Sequence, residues 1–529
     1  MKISILRTSS MAAWVIQASA CLGLSCCAVG PDYHRPAAPV APAFKERADQ
    51  DQPEWRQATP ADAAPKGDWW REFHDPLLDE LEPQVAVSNQ SVRQAYANYR
   101  QAVAEVKVAR AQLFPVIGLT GSVNRLGGPG SSTGVTSTTT GTGTGTTGTG
   151  TTGTGTTATA SKGRGSLTTG TLEGTASWTL DIWGQVRRLI EENSAIAQSD
   201  EATLANATLS AQTLLATTVI ELRLADANID LEEKTVHAYQ DALRVTKAQG
   251  QAGVTLAPPS AVITAQVALE SAQAALIGLG VTRAQYAHAI AVLVGKNPEA
   301  LDIPRGTLIP TLPQIPVGVP SALLERRPDI AAAERSMKAQ NAAVGVAVAA
   351  YYPTISLSAA AGFQQSPLQG LLHAANHVWS VGANGTETLF DFGERHAQVQ
   401  AARAAYDATV ANYRNVVLTA FQDVENDLSG LRILANQAKA LDTAVHDAIR
   451  GSEIALDEFE AGTVDYTTVA LAQEVQFADQ QSALTVEQSR LLAAVSLIGD
   501  LGGGWAQGDL HAPSHPEQLP PDPSELPAR

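Results

Sequence analysis

The chain has 529 residues, a formal net charge of −17, and 44% apolar residues of which few are aromatic. That balance excludes a nucleic-acid binder, which needs clustered Lys and Arg, and it favours alanine-rich, close-packed helices over a wide globular core. The three cysteines, Cys21, Cys26 and Cys27, stand near the start, so the rest of the chain can hold neither a disulfide framework nor a thiolate metal site.

Residues 1–26 read as an export signal. Lys2 and Arg7 precede a short apolar run broken by Gln17 and Ser19, too short for a membrane anchor helix. Leu24, Ser25, Cys26 and Cys27 resemble a bacterial lipobox, with Cys27 as the lipid acceptor and Cys26 and Cys21 as alternatives. Acyl chains on Cys27 would tether the mature N-terminus to a bilayer. Residues 27–85 then read as a tether and belt segment, Pro/Ala-rich from Gly30 to Pro65.

The remainder is an internal duplication, a feature to be sought before any single element is read. LDIWGQVRR, from Leu180 to Arg188, matches LFDFGERHA, from Leu389 to Ala397, and QAGVTL at Gln251 matches EAGTVDY at Glu460. Gly184 to Gly253 and Gly393 to Gly462 are both 69 residues apart. A third landmark, LFPVIGL at Leu113, matches YYPTISL at Tyr351, but the first copy carries 29 extra residues before its glycine, and the Thr/Gly run from Ser137 to Ala160 falls inside them. Residues 86–297 thus form repeat 1, 298–325 a Pro-rich linker, 326–505 repeat 2, and 506–529 a Pro-rich tail.

Each repeat predicts a hairpin, over 113–183 and 352–392. Ile117, Leu119, Gly121 and Val123 alternate with small or polar residues, as do Leu172 to Ile182, Ile355 to Phe363, and Trp379 to Gly385, a row that Glu387 interrupts. Period two over such lengths is a strand signal. The Thr/Gly run is the tip loop of the first hairpin, where added length costs least. Four strands apolar on one face suit a membrane barrel but cannot close one, and an open edge leaves amides unpaired in hydrocarbon. A shared barrel built from several copies resolves this; a soluble sandwich is the alternative.

Long helices follow each hairpin. No proline occurs from Gly184 to Ala257 or from Gly393 to Ala512. Val417, Phe421, Val424, Leu428, Leu431, Ala435 and Ala438 step by alternating fours and threes, a heptad seam. A looser seam runs through Leu215, Val219, Leu222, Ala225, Ile229, Val236, Tyr239 and Leu243. Each long helix turns back at Gly253 or Gly462. Gly143, Gly145 and Gly148 match a dinucleotide-binding pattern only because a Thr/Gly repeat does so by chance. The histidines are scattered, so no metal site is expected. Asp181 and Asp391, at the junctions of strand and helix, read either as lumen-lining acids or, the commoner role, as helix caps.

CAVGPDYHRP at Cys27, DWWREFHDPLLDELE at Asp68, ERRPDIAAAER at Glu325 and AGTVDYTTVALAQ at Ala461 resemble the TolC-like outer-membrane factors of multidrug efflux systems, in the NodT-type lipoprotein branch. The resemblance implies a mainly α fold with a β-barrel portion: a homotrimer with four membrane strands per chain in one shared twelve-stranded barrel over a long periplasmic α-helical barrel. It implies an outer-membrane, lipid-anchored protein that works with a periplasmic adaptor and an inner-membrane pump. Such a duct binds no nucleic acid, catalyses nothing, and needs no cofactor beyond the lipid on Cys27. Its gate and adaptor-contact tips would be Gly253, Val254 and Thr255 in repeat 1 and Gly462, Thr463, Val464 and Asp465 in repeat 2. Many relatives carry an acidic ring at the tip; where they often have Asp, this chain has Leu471. Asp465 then reads either as a remaining ring charge or as a helix cap. Drug efflux, polypeptide secretion and a non-transport surface protein are the functions to be separated.

Overall fold

The computed structural model describes residues 28–37, 45, 67–126, 167–251, 259–308, 312, 313, 315 and 326–503. Cys27, the Thr/Gly run, and Gly253, Val254 and Thr255 lie outside the described residues. The chain divides into a sheet unit, with residues 110–186 and 349–393, and a helical unit, with residues 29–109, 187–348 and 394 onward.

The sheet unit holds β1 (Val116–Leu126), β2 (Leu167–Leu180), β3 (Thr354–Gln365) and β4 (His377–Thr386), antiparallel in the order β1-β2-β3-β4. Its register aligns the four alternating rows. Ile117 faces Ala176, which faces Ala359, which faces Val381; Leu119 faces Gly174, Ala361 and Trp379 in turn. Directly opposed residues share a face, so every apolar row lies on one side. The other side carries Thr120, Glu173, Ser122, Thr171, Ser177, Ser358 and Asn384. The apolar side is bare: Ile117, Leu119, Trp379 and Val381 are each more than 70% exposed. Gly362 sits where β3 crosses β2, and a Cβ there would run into the Leu172 carbonyl. At the strand ends, the Trp178 indole donates to Leu113 O at 2.9 Å, and Trp183 stacks on Tyr352 with centroids 4.8 Å apart.

The helical unit holds α1 (Pro76–Ser88), α2 (Gln90–Ala111), α3 (Gln185–Gln251), α4 (Pro259–Leu293), α5 (Pro328–Ala349), α6 (Glu394–Glu460) and α7 (Tyr466–Asp500). The duplication is visible in their lengths: α3 and α6 have 67 residues each, and α4 and α7 have 35 each. At about 1.5 Å per residue the long pair reach roughly 100 Å. Heptad positions Leu215, Val219, Leu222, Ala225 and Ile229 are buried, as are Val417 and Val424. They feed two cores, one around Trp69, Phe73, Leu81, Leu215, Ile290 and Leu491, the other around Ile330, Tyr413, Val417 and Leu497. Among the described residues, α4 alone is long and apolar enough to cross a membrane by length and composition. Its Ile263, Val267, Ile277, Val281 and Val292 are all more than 50% exposed.

Candidate functional site

The repeat 2 tip is built by two caps in five residues. Helix α6 stops because Gly462 adopts φ 73, a left-handed conformation that carries no steric cost only for glycine. Thr463 then donates its backbone N–H to Glu458 O at 2.9 Å, and its hydroxyl donates to the same carbonyl at 2.8 Å. Asp465 starts α7: its Oδ1 accepts from the Thr468 amide at 3.1 Å and the Thr468 hydroxyl at 3.0 Å. Of the two roles open to Asp465, the capping contact is formed.

Beneath the turn lies a small apolar core. Phe459, Tyr466 and Val469 from repeat 2 pack with Ala242, Leu243 and Ala265 from repeat 1, and Val464 lies against them. Gln249, near the end of α3, donates to Phe459 O at 3.1 Å. The ends of all four long helices therefore meet. This core keeps two polar atoms without a partner among the described residues, the Tyr466 hydroxyl and Gln473 Oε1. Burial pushes the Tyr466 phenol up to about 12, with Tyr239 adding to it.

Further from the tip, buried charge ties α3 to the start of α1, to α4 and to Gly306. Arg223 on α3 donates from Nε to Asp75 Oδ2 at 2.9 Å, and Asp75 also caps α1 through the Leu77 amide at 2.7 Å. Asp226, one turn on, receives Arg283 of α4 at 2.6 Å and the Gly306 amide at 3.0 Å. Arg283 in turn holds Ile303 O at 2.8 Å. Residues 29–33 are held in the same manner: Arg188 donates to Val29 O, Gly30 O and Asp32, Asn341 donates to Pro31 O, and the Tyr33 hydroxyl donates to Glu334 at 2.6 Å.

A third cluster gathers acids. Arg327 bridges Asp329 at 2.7 Å and Asp500 at 3.2 Å, with Asp423 at 3.9 Å. Burial and then the Asp500 carboxyl push Asp427 up to about 8, so it keeps its proton at neutral pH. A cavity of about 260 Å³ opens beside Arg327, lined by Ser210, Thr213 and Ser496.

Sequence reasoning missed Arg223, Asp226, Arg283 and Arg188. For Arg223 and Asp226 the available signal was an opposite-charge pair set directly beside heptad positions Leu222 and Ala225; Arg283 and Arg188 carry no such mark. The junction aspartates fit their reading as caps: Asp181 Oδ1 accepts from the Val186 amide at 2.9 Å, and Asp391 Oδ1 from Gly393 at 3.0 Å.

The duplicated helices and hairpins match a known pattern. A family model described as outer membrane efflux protein fits residues 81–296 and 319–503. The chain belongs to this family. As an outer membrane efflux protein it is 29% identical over 483 residues to the probable efflux pump outer membrane protein TtgC of Pseudomonas putida, covering 90% of this chain and 93% of that one. It is 26% identical to the cation efflux system protein CusC of Escherichia coli, covering 92% and 97% of the two chains. Among solved structures it is similar to the outer-membrane channel OprN, with a TM-score of 0.77 and 27% identity over 90% of this chain and 100% of that one. The CmeC outer membrane channel of Campylobacter jejuni shares the fold, with a TM-score of 0.78 and 20% identity over 91% and 96%. This outer membrane efflux protein thus has the TolC-like channel fold and is an efflux channel of the outer membrane. Its relatives are channel components rather than enzymes.

Proposed function

We propose that three copies of this chain form the passive exit duct of a tripartite pump for small toxic compounds. The single observation that carries the reading is the four-stranded sheet, apolar on one face and, among the described residues, with β1 and β4 as open edges. A lipid-facing sheet must close, because hydrocarbon offers unpaired amides no partner. The exposed apolar face of α4 supports the same association in the helical unit. In this reading the tips at 253–255 and 462–465 are the gate and meet a periplasmic adaptor, energy comes from an inner-membrane pump, and acyl chains on Cys27 hold the tether to the membrane. The names of similar proteins span antibiotics, toluene, cations and pyoverdine. Cargo so varied fits a duct whose partners select what enters. Deleting the chain tests the proposal: sensitisation to several chemically unrelated compounds supports it, and unchanged tolerance across a broad panel rejects it. Conductance of the purified protein in a planar bilayer separates a duct from a surface adhesin.

A further inference from the structure

The loop between β3 and β4, residues 366–376, is compact and lies against the sheet. The Leu371 amide donates to Leu368 O at 3.3 Å, the His373 amide to Gly370 O at 2.9 Å and the Asn376 amide to His373 O at 2.9 Å, while the Asn376 side chain closes back on Gly370 O at 2.7 Å. The loop also reaches the other hairpin: the Ser366 hydroxyl donates to Thr168 O of β2 at 3.1 Å. The loop ends of the hairpins are the outer ends, because the opposite ends run on into α2, α3, α5 and α6.

The apolar row of β2 breaks off at its outer end. Beyond Leu172 the next position on that side is Gly170, which lies between Val123 of β1 and Gln365 of β3. Gly170 has no side chain, yet it is buried, because Leu368 and Leu371 of the loop lie over it. A Cβ on Gly170 would overlap Leu368 Cδ1 and stand 3.4 Å from Leu371 Cδ2. That Cβ would point to the same side as Leu172, two residues on. The loop therefore folds down onto the apolar side, away from Thr120 and Glu173, and fills the place that β2 leaves vacant. Its Leu368 and Leu372 remain 41% and 64% exposed.

Height decides what these leucines can do. From Ile355 to Phe363 the row of β3 rises roughly 20 Å at the usual strand tilt, short of a lipid-facing band about 25 Å tall. Gly170 stands one alternation further out, so the leucines over it add roughly 5 Å and complete the band. The Thr/Gly run of the other hairpin offers them no cover: Ser137 to Ala160 holds no apolar side chain larger than alanine.

Resting on the reading that the apolar side of the sheet faces lipid, we propose that the loop of residues 366–376 is a membrane contact, whose Leu368, Leu371 and Leu372 seat in the acyl chains of the outer leaflet and set how far the strands sink into the bilayer. The patch is continuous with the exposed row of Leu119, Trp379 and Val381, so one lipid surface covers both. Gly170 is what lets the loop lie flat enough to join that row.

Single cysteines in the full chain, which has none after Cys27, test the contact. Each carries a fluorophore into phosphatidylcholine vesicles whose acyl chains are brominated either near the headgroup or deep in the bilayer. Leu372→Cys is the probe, Val381→Cys the control on the apolar side and Asn384→Cys the control on the polar side. Shallow bromines are expected to quench the label of Leu372→Cys within about twofold of Val381→Cys and about fivefold more than Asn384→Cys, and to do so better than deep ones. Quenching by aqueous iodide without quenching by bromine places the loop in water, and protection from both places it against protein. Either result overturns the proposal while Val381→Cys keeps the sheet in lipid. Should Val381→Cys also escape bromine, the lipid-facing reading falls and the proposal with it. Gly170→Val tests the seat itself by forcing Leu368 away. In that background bromine quenching of Leu372→Cys should drop by about half or more, with Val381→Cys unchanged; equal quenching in both backgrounds rejects the seat on Gly170.

Discussion

Arg223 and Asp75 form a buried ion pair in which the two residues are 7% and 4% exposed, with the guanidinium Nε 2.9 Å from Oδ2. The pair joins α3 to the first turn of α1. Removing one member of such a pair leaves the other charge buried and uncompensated, at a cost of about 3–5 kcal/mol. Arg223→Met is therefore expected to lower the thermal unfolding temperature substantially. Asp75→Ala should do the same and also lose the α1 cap. A double variant less damaged than the sum of the singles would confirm that the two act together.

Asp427 sets a pH dependence whose sign follows from its surroundings. Its ordinary value is 3.8 and burial raises it to about 8. The folded state therefore holds a proton that the unfolded state releases in between. That contribution is complete below about pH 4 and is lost as pH rises toward about 8. Around it stand Asp423 on the same helix, Asp500 and Ser496 on α7, and the Arg327–Asp329 pair at the start of α5. Denaturation midpoints measured from pH 4 to pH 9 should fall across this window, and Asp427→Asn should flatten the fall.

The tip predicts a separation of roles. Asp465→Ala removes a cap worth about 1 kcal/mol, while Asp465→Asn keeps an accepting oxygen for the Thr468 amide. With the cap as the governing role, Asp465→Asn leaves both stability and the cation preference of single channels unchanged. A loss of cation preference in this variant would instead mark Asp465 as a charge at the constriction. Gly462→Val should destabilise the turn, because its φ of 73 is strained for a β-branched residue.

Gly362→Val is expected to abolish folded channel in the outer membrane, since its side chain would enter the β2 backbone. Gly385→Val, on the same sheet where a Cβ meets nothing within 4 Å of its own chain, separates the two cases. It should leave the hairpins intact and, in the proposed trimer, act only where copies would meet. Heat-modifiable mobility and trimer yield distinguish the outcomes.

Much of this architecture could be read from residue order because it is periodic. The alternation from Ile117 to Val123 and the heptad through Val417, Phe421 and Val424 depend on local spacing, so strand and helix follow from it directly. The equal lengths of α3 and α6 follow from the equal spacing of Gly184 to Gly253 and Gly393 to Gly462. What stayed hidden has no period. Arg223 meets Asp75 across 148 residues and Arg188 meets Asp32 across 156, and no local pattern names the partner at either distance. The fork at Asp465 needed a hydrogen-bond partner to decide it, because a capping acid and a pore acid look alike as letters.

The open sheet also bears on how the molecule is made. A solitary copy presents two unsatisfied borders and a greasy panel to water, the combination most prone to sticking to the wrong neighbour. It has no refuge in lipid either, since those borders are intolerable there. In the proposed trimer, biogenesis would have to bring copies together before or during insertion, and a cell that produces too little of the chain for encounters to be frequent would accumulate stranded subunits rather than small pores.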